Sequence, residues 1–209
     1  MNTVMYIDGS RREVSRGTIP GHPFYSDVLG WGMVVLADDQ MTERSGAIGV
    51  PRKINGLHEL LALVEAVRYL RASGTPWADV TIFTDDIPVA YAAQALHPDN
   101  FRQFERDRLL RNLALVCDFQ GDSAILADVV ACLTTSRFVK LKAHKLCVYH
   151  NRADYLSSKA SLFTIAPTTA VQSFDKWLGH GFMERTKEGE PRRWHPPFFT
   201  KQSEARSRS

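Results

Sequence analysis

Apolar and polar positions alternate along residues 4–8, the pattern of a half-buried strand, and the alternation predicts a strand that stops at Gly9-Ser10. Residues 11–29 are polar and carry several Gly and Pro, so a long loop is expected there. Two short strands follow, residues 31–36 and 45–50, around the turn-like Ala37-Asp38-Asp39-Gln40. From Leu57 the period changes. Leu57, Leu60, Leu61, Val64, Val67 and Leu70 recur at helical spacing until Gly74-Thr75-Pro76 ends the run. Residues 80–84 read as a fourth strand that ends in Asp85-Asp86. Pro88 suits the first turn of a short helix reaching Leu96, which His97-Pro98-Asp99-Asn100 breaks. Residues 101–117 and 123–133 have helical spacing, with a boundary near Gln120-Gly121-Asp122; residues 138–143 alternate as a fifth strand, and residues 153–162 form a last helix. The order is strands in a meander, then helix, strand, helices, strand and helix, which is an α/β pattern.

Composition changes this picture little. The 209 residues are 44% hydrophobic and 23% charged, ordinary values for a globular chain with a well-buried core. No apolar run approaches the roughly 20 residues of a membrane span, because Asp128 interrupts the best candidate, and residues 1–8 do not look like a secretory signal. The expectation is a cytoplasmic monomer without membrane association. Cys117, Cys132 and Cys147 are far apart and form no CxxC pair, so neither a disulfide framework nor a zinc site is expected. The net charge of +3 resides in residues 184–209, which hold seven Lys/Arg against four Glu, so residues 1–183 are neutral. Nucleic-acid binding by the main body would therefore need a local patch.

The candidate chemistry lies in four acids placed at the ends of elements. Asp8 closes the first strand, Asp85 the fourth, Glu59 sits in the first turn of the first long helix, and Asp154 at the start of the last helix. Singly, each is explained by turn formation or by the helix dipole. Together, with the first and fourth strands adjacent, they would converge, and their repulsion would call for divalent cations among them. Oxygen ligands favour magnesium or manganese over zinc.

The motifs resemble those of the type 1 ribonuclease H family over most of residues 4–160. Tyr6-Ile7-Asp8-Gly9-Ser10 looks like the family's first-strand motif, and Gly30-Trp31-Gly32-Met33-Val34 its second strand. Asn55-Gly56-Leu57-His58-Glu59-Leu60-Leu61-Ala62 is similar to the Asn-x-x-x-Glu-Leu-x-Ala segment, and Ile82-Phe83-Thr84-Asp85 to the strand carrying the third acid. Val139-Lys140-Leu141-Lys142-Ala143-His144 and His150-Asn151-Arg152-Ala153-Asp154 look like the family's strand, histidine loop and final helix start. The resemblance implies a ribonuclease H-like fold: a five-stranded mixed sheet, three antiparallel strands then two parallel, flanked by helices. It implies an endonuclease that hydrolyses the RNA strand of RNA–DNA hybrids, leaving 5′-phosphate and 3′-hydroxyl ends. Two Mg2+ ions would act with substrate, Mn2+ being an alternative. Asp8 would bridge both ions, Asp154 would complete the one that carries the attacking water, and Glu59 and Asp85 would hold the other. His144 would aid proton transfer or product release, while His58 and His150 receive no role and read as surface or packing residues. Gly9, Ser10 and Asn55 correspond to RNA contacts, and Lys142 and Lys145, with Lys140, suit phosphates.

Several positions depart from the family pattern: Gly56 replaces an asparagine, Asp86 a serine and Ala143 a glycine, and the glycine after His144 is missing. The loop between Asp8 and Trp31 is also long. Arg102, Arg106, Arg108 and Arg111 could form a basic protrusion, but Glu105 and Asp107 offset them and a solvated face is the favoured reading. Residues 1–163 are taken as the catalytic domain and 164–209 as a C-terminal extension with a helical turn at 174–178, a hairpin at 184–194 and a disordered end at 201–209. Rival readings are a non-catalytic nucleic-acid-binding protein on the same fold, and another nuclease of that fold such as a junction resolvase. A proofreading exonuclease is disfavoured, because Asp8-Gly9-Ser10 lacks the Asp-x-Glu it needs.

Overall fold

The computed structural model describes residues 2–14, 27–50, 56–86, 89–90, 96, 103–141, 147–165, 183–185 and 191–193. β1 (Thr3–Glu13) is the central strand, and its side chains alternate between two faces. Met5 and Ile7 enter the large apolar core on one face, and Tyr6 joins a smaller cluster on the other. β1 pairs antiparallel with β2 (Asp27–Ala37), and β2 with β3 (Gln40–Val50). The β2–β3 connection is a two-residue turn with Asp38 at φ 49° and Asp39 at φ 60°, the left-handed pair that a tight hairpin requires and that Asp tolerates. α1 (Leu57–Ser73) ends at Gly74, whose amide donates to the Arg71 carbonyl at 3.2 Å.

β4 (Val80–Thr84) lies parallel to β1, and β5 (Arg137–Lys140) parallel to β4, so the sheet order is β3-β2-β1-β4-β5. This is the expected mixed sheet. Between β4 and β5 run α2 (Gln103–Phe119) and α3 (Ile125–Thr135), which share the large core with α1. α4 (Val148–Ile165) lies across β1, β2 and β3 on the opposite face. β6 (Met183–Arg185) and β7 (Pro191–Arg193) pair antiparallel, as expected of a hairpin in this segment. No described helix is long and apolar enough to cross a membrane, and the three cysteines are free thiols.

Five element bounds are corrected. β1 does not stop at Gly9-Ser10 but continues to Glu13, and β2 begins at Asp27, so residues 11–13 and 27–29 at the two ends of the expected loop are strand, while 15–26 lie outside the described residues. The extra length is held by polar pairs: Arg11 Nε donates to Asp27 Oδ2 at 2.9 Å and Arg12 Nε to Ser161 Oγ at 3.0 Å. β3 likewise starts at Gln40, and β5 is shorter than residues 138–143. α4 begins at Val148, not residue 153, because its opening turns bury polar groups that break the apolar period. There Arg152 forks onto Glu43 at 2.7 Å and 2.6 Å. Of the short helix at 88–96 only Val89, Ala90 and Leu96 are described, all helical. The turn at 174–178 and the end at 201–209 lie outside the described residues.

Candidate metal centre

The register of the sheet creates the site. β4 pairs with β1 from Thr3↔Val80 to Tyr6↔Phe83, and then stops at Thr84 while β1 runs on. Asp85, the next residue, is left beside Asp8 at a point where the β4-side edge of β1 loses its partner strand. α1 fills that edge. The Gly9 amide donates to Glu59 Oε2 at 3.0 Å, and a Cβ at Gly9 would stand 2.3 Å from the His58 carbonyl group, so only glycine lets the start of α1 come this close.

From the other face α4 approaches just as closely. A Cβ on Gly32 would meet the Ala153 carbonyl oxygen at 2.2 Å, and one on Gly30 the Ser157 carbonyl oxygen at the same distance. His150, Asp154, Ser157 and Ser161 recur at helical spacing on the stripe of α4 that faces β1. Ser157 Oγ donates to Asp8 Oδ2 at 3.0 Å, and Ser10 Oγ donates to Ser161 Oγ at 3.2 Å. His150 Nε2 lies 3.4 Å from Asp85 Oδ1 and 3.6 Å from Asp8 Oδ1, at ion-pair distance and too far for a good hydrogen bond.

Asp8 is thus the hub, with only 6% of its surface exposed. Burial first, then the charge of Asp154, push its carboxyl up to about 7; Asp85 adds to the rise, while His150 and the Ser157 hydroxyl oppose it. Burial, followed by the charges of Asp8, Asp86 and Asp85, holds Glu59 well above the usual carboxylate range despite the Gly9 hydrogen bond. Asp86 is also raised, chiefly by burial; its Oδ1 accepts the Val89 amide at 2.8 Å and so caps the start of the short helix. Burial opposes charge on His150, but Asp85, Asp8 and Asp154 outweigh it and raise its pKa. His58, 3.6 Å from Glu59, is pushed down by burial and then by Arg11.

All four acids singled out in the sequence therefore converge. Asp8 and Asp85 are the tight pair, with Glu59 and Asp154 close enough to shift Asp8 or respond to it. Asp154 is not at the helix start but seven residues into α4. His150, read as a packing residue, is instead part of the cluster: Asp8, Asp85 and His150 offer ligand atoms within 4.8 Å of one another. Its spacing of four residues before Asp154 was the signal, masked by starting the helix too late. Gly9 and Ser10 line the same stretch of β1, their amide and hydroxyl respectively engaged by Glu59 and Ser161. Asn55, Lys142, His144 and Lys145 lie outside the described residues. On α2, Arg106, Arg108 and Arg111 are exposed beside Asp107, as a solvated face requires. The donor set fits a divalent cation. Carboxyls whose ionisation is opposed by burial and then by one another's charge, with a buried imidazole nitrogen facing two of them, are stabilised by a positive charge placed between them.

No protein-family model and no curated protein matches the sequence. Among solved structures the chain is similar to ribonuclease H1 from the halophilic archaeon Halobacterium salinarum, with 17% identity over 77% of this chain and 97% of that one and a TM-score of 0.45. It is similar to a ribonuclease H1 isolated from compost and solved with an RNA/DNA hybrid, at 20% identity over 77% and 96% of the two chains, TM-score 0.44. A foamy viral protease–reverse transcriptase, also solved with an RNA/DNA hybrid, gives 18% identity over 76% and 20% of the two chains, TM-score 0.47. With TM-scores below 0.5, these likenesses add no weight to the strand order and the acid cluster. By its strand order and strand directions, and by helices on both faces of the sheet, this chain has a ribonuclease H-like fold.

Proposed function

We propose that the chain is a metal-dependent endonuclease that hydrolyses the RNA strand of RNA–DNA hybrids, leaving 5′-phosphate and 3′-hydroxyl ends. The observation that carries this reading is the convergence of Glu59, Asp85, Asp154 and His150 on Asp8, with Asp8 and Glu59 held above their ordinary pKa range by burial and by one another. One buried and three half-buried acids are costly to keep together unless they hold cations. Two Mg2+ ions, or Mn2+, would be held by Asp8 between them, with Asp154 on one side and Glu59 and Asp85 on the other. Bound there, such ions supply activation of water and stabilisation of the leaving oxygen of a phosphodiester.

The chain's own residues do the positioning. Ser157 fixes the Asp8 carboxylate from α4, and the Gly9 amide fixes Glu59 from β1. Close packing at Gly30 and Gly32 sets how far Asp154 stands from Asp8. Gly9, Ser10 and Asn55 are proposed at the RNA strand, Lys142 and Lys145 at phosphates, and His144 as the proton carrier. The reading takes residues 1–163 as the catalytic domain.

The test offers end-labelled RNA–DNA hybrid, duplex DNA, branched DNA and single-stranded RNA with Mg2+ or Mn2+. Internal cuts in the RNA of the hybrid, lost in Asp8→Asn, are expected. Hybrid binding without cleavage in either ion would identify a non-catalytic binding protein, and preferential cutting of the branched substrate a junction resolvase.

A further inference from the structure

His150 belongs to the cluster, yet no role assigned so far uses its imidazole. It lies in the first turn of α4 with 3% of its surface exposed, and its Nε2 is buried with no hydrogen-bond partner among the described residues. Its aim at two carboxylates, at ion-pair distance but without a hydrogen bond of good geometry, leaves room for a cation shared by all three groups. The distances fit one. Two ligand atoms that each stand about 2.1 Å from a shared ion are about 3.0–3.4 Å apart between octahedral and tetrahedral angles. Nε2 is 3.4 Å from Asp85 Oδ1 and 3.6 Å from Asp8 Oδ1, at or within a few tenths of an ångström of that spacing, and the three ligand atoms all lie within 4.8 Å of one another.

We propose that His150 Nε2 is a direct ligand of the ion held by Asp8 and Asp85, which makes that position a mixed nitrogen–oxygen site. The proposal rests on the metal-site reading above and deepens it. An imidazole ligand disfavours Mg2+, which dehydrates reluctantly and takes oxygen, and favours Mn2+ and later transition ions. Position supports the assignment. His150 and Asp154 are four residues apart on one face of α4, so the helix that delivers the acid delivers the nitrogen by the same packing at Gly32.

Pulsed electron paramagnetic resonance on the full chain loaded with Mn2+ tests this independently of activity. Electron-spin-echo modulation from a directly bound nitrogen is expected. It should change on 15N-histidine labelling, persist in His58→Ala and His144→Ala, and vanish in His150→Asn. Titration should show Mn2+ affinity falling by about tenfold or more in His150→Asn while Mg2+ affinity changes much less. Modulation that survives in His150→Asn, or a wild-type Mn2+ spectrum with oxygen ligands only, overturns the proposal and leaves the carboxylate site standing. Wild-type protein that binds no Mn2+ overturns both this inference and the nuclease reading. If His150→Asn fails to fold, His150→Gln and the labelled wild-type spectrum decide the same question.

Discussion

On one face of the sheet α1 meets β1 and β2, and α2 and α3 pack against α1, in a core that includes Leu57, Leu61, Val64, Leu113, Met5 and Met33, all buried and apolar. On the other face α4 meets the same two strands through Gly30, Gly32, Ser157 and Ser161, where backbone comes within touching distance and hydroxyls bond to Asp8, Ser10 and Arg12. Dispersion and apolar burial are non-directional, so the first face can stabilise the sheet without fixing any atom to a few tenths of an ångström. Hydrogen bonds and close backbone contact are directional, and they set where His150 and Asp154 stand relative to Asp8. Apolar burial supplies stability, and directional contacts, those of α4 and the Gly9–Glu59 junction at the start of α1, position chemistry.

The widest separation of the two faces comes from two substitutions one residue deep in each. Leu61→Ala removes a fully buried side chain and should cost about 2–5 kcal/mol of stability, with the folded fraction retaining its rate. Asp8→Asn should lower hydrolysis of hybrid by roughly three orders of magnitude or more while the fold survives. Chemical denaturation and cleavage rates measured on both variants check this. Parallel losses of stability and rate in both would erase the distinction between the faces.

Gly32→Ala sharpens it with a smaller effect. The added Cβ would stand 2.2 Å from the Ala153 carbonyl oxygen and 2.7 Å from the Ser157 amide nitrogen, and neither backbone atom can yield without moving α4. Overpacking of this kind costs about 1–3 kcal/mol. A shift of about 1 Å in Asp154 and His150 should also lower the rate by about a hundredfold. A variant that loses stability but keeps its rate would show that the α4 contact is only structural.

The same division decided what could be read from sequence. α1 was legible because Leu57, Leu60, Leu61, Val64, Val67 and Leu70 point one way at helical period, and all are buried in the core. Asp8, Glu59 and Asp85 were legible because short motifs place each acid at a definite point on its element. The start of α4 was not, because Tyr149, His150 and Arg152 are buried by partners far off in the chain: Arg152 by Glu43, 109 residues away, and His150 by Asp8 and Asp85. Periodicity detects apolar burial and is blind to polar groups buried against partners across the sheet. The second half of β1 escaped for the same reason, since Arg11 and Arg12 hold it through Asp27 and Ser161.

The titration of the site gives the smallest effect and the one most specific to the α4 face. Asp8 is raised to about 7 in the fold from an ordinary 3.8, and Glu59 and His150 are raised in the same direction. A group whose pKa is higher folded than unfolded holds its proton longer in the fold. Its stabilisation is complete below the unfolded value and is lost as the pH climbs through the folded value. Metal-free protein should therefore lose stability between about pH 4 and about pH 7 as Asp8 ionises, with the contribution of His150 lost only above its ordinary 6.5. Added Mg2+ or Mn2+ should restore it strongly near pH 8 and scarcely at pH 4, where protonated carboxyls cannot bind an ion. Leu61→Ala should lower this curve bodily without changing its slope, because Leu61 carries no titratable group and sits in the apolar cluster. Asp8→Asn should flatten it, because the hub of the repulsion is gone. Denaturant titrations in chelator at several pH values, with and without ion, separate the two behaviours. A metal-free protein that grows more stable from pH 4 to pH 7 would mean that the acids do not crowd one another in solution, and the site as described would not exist.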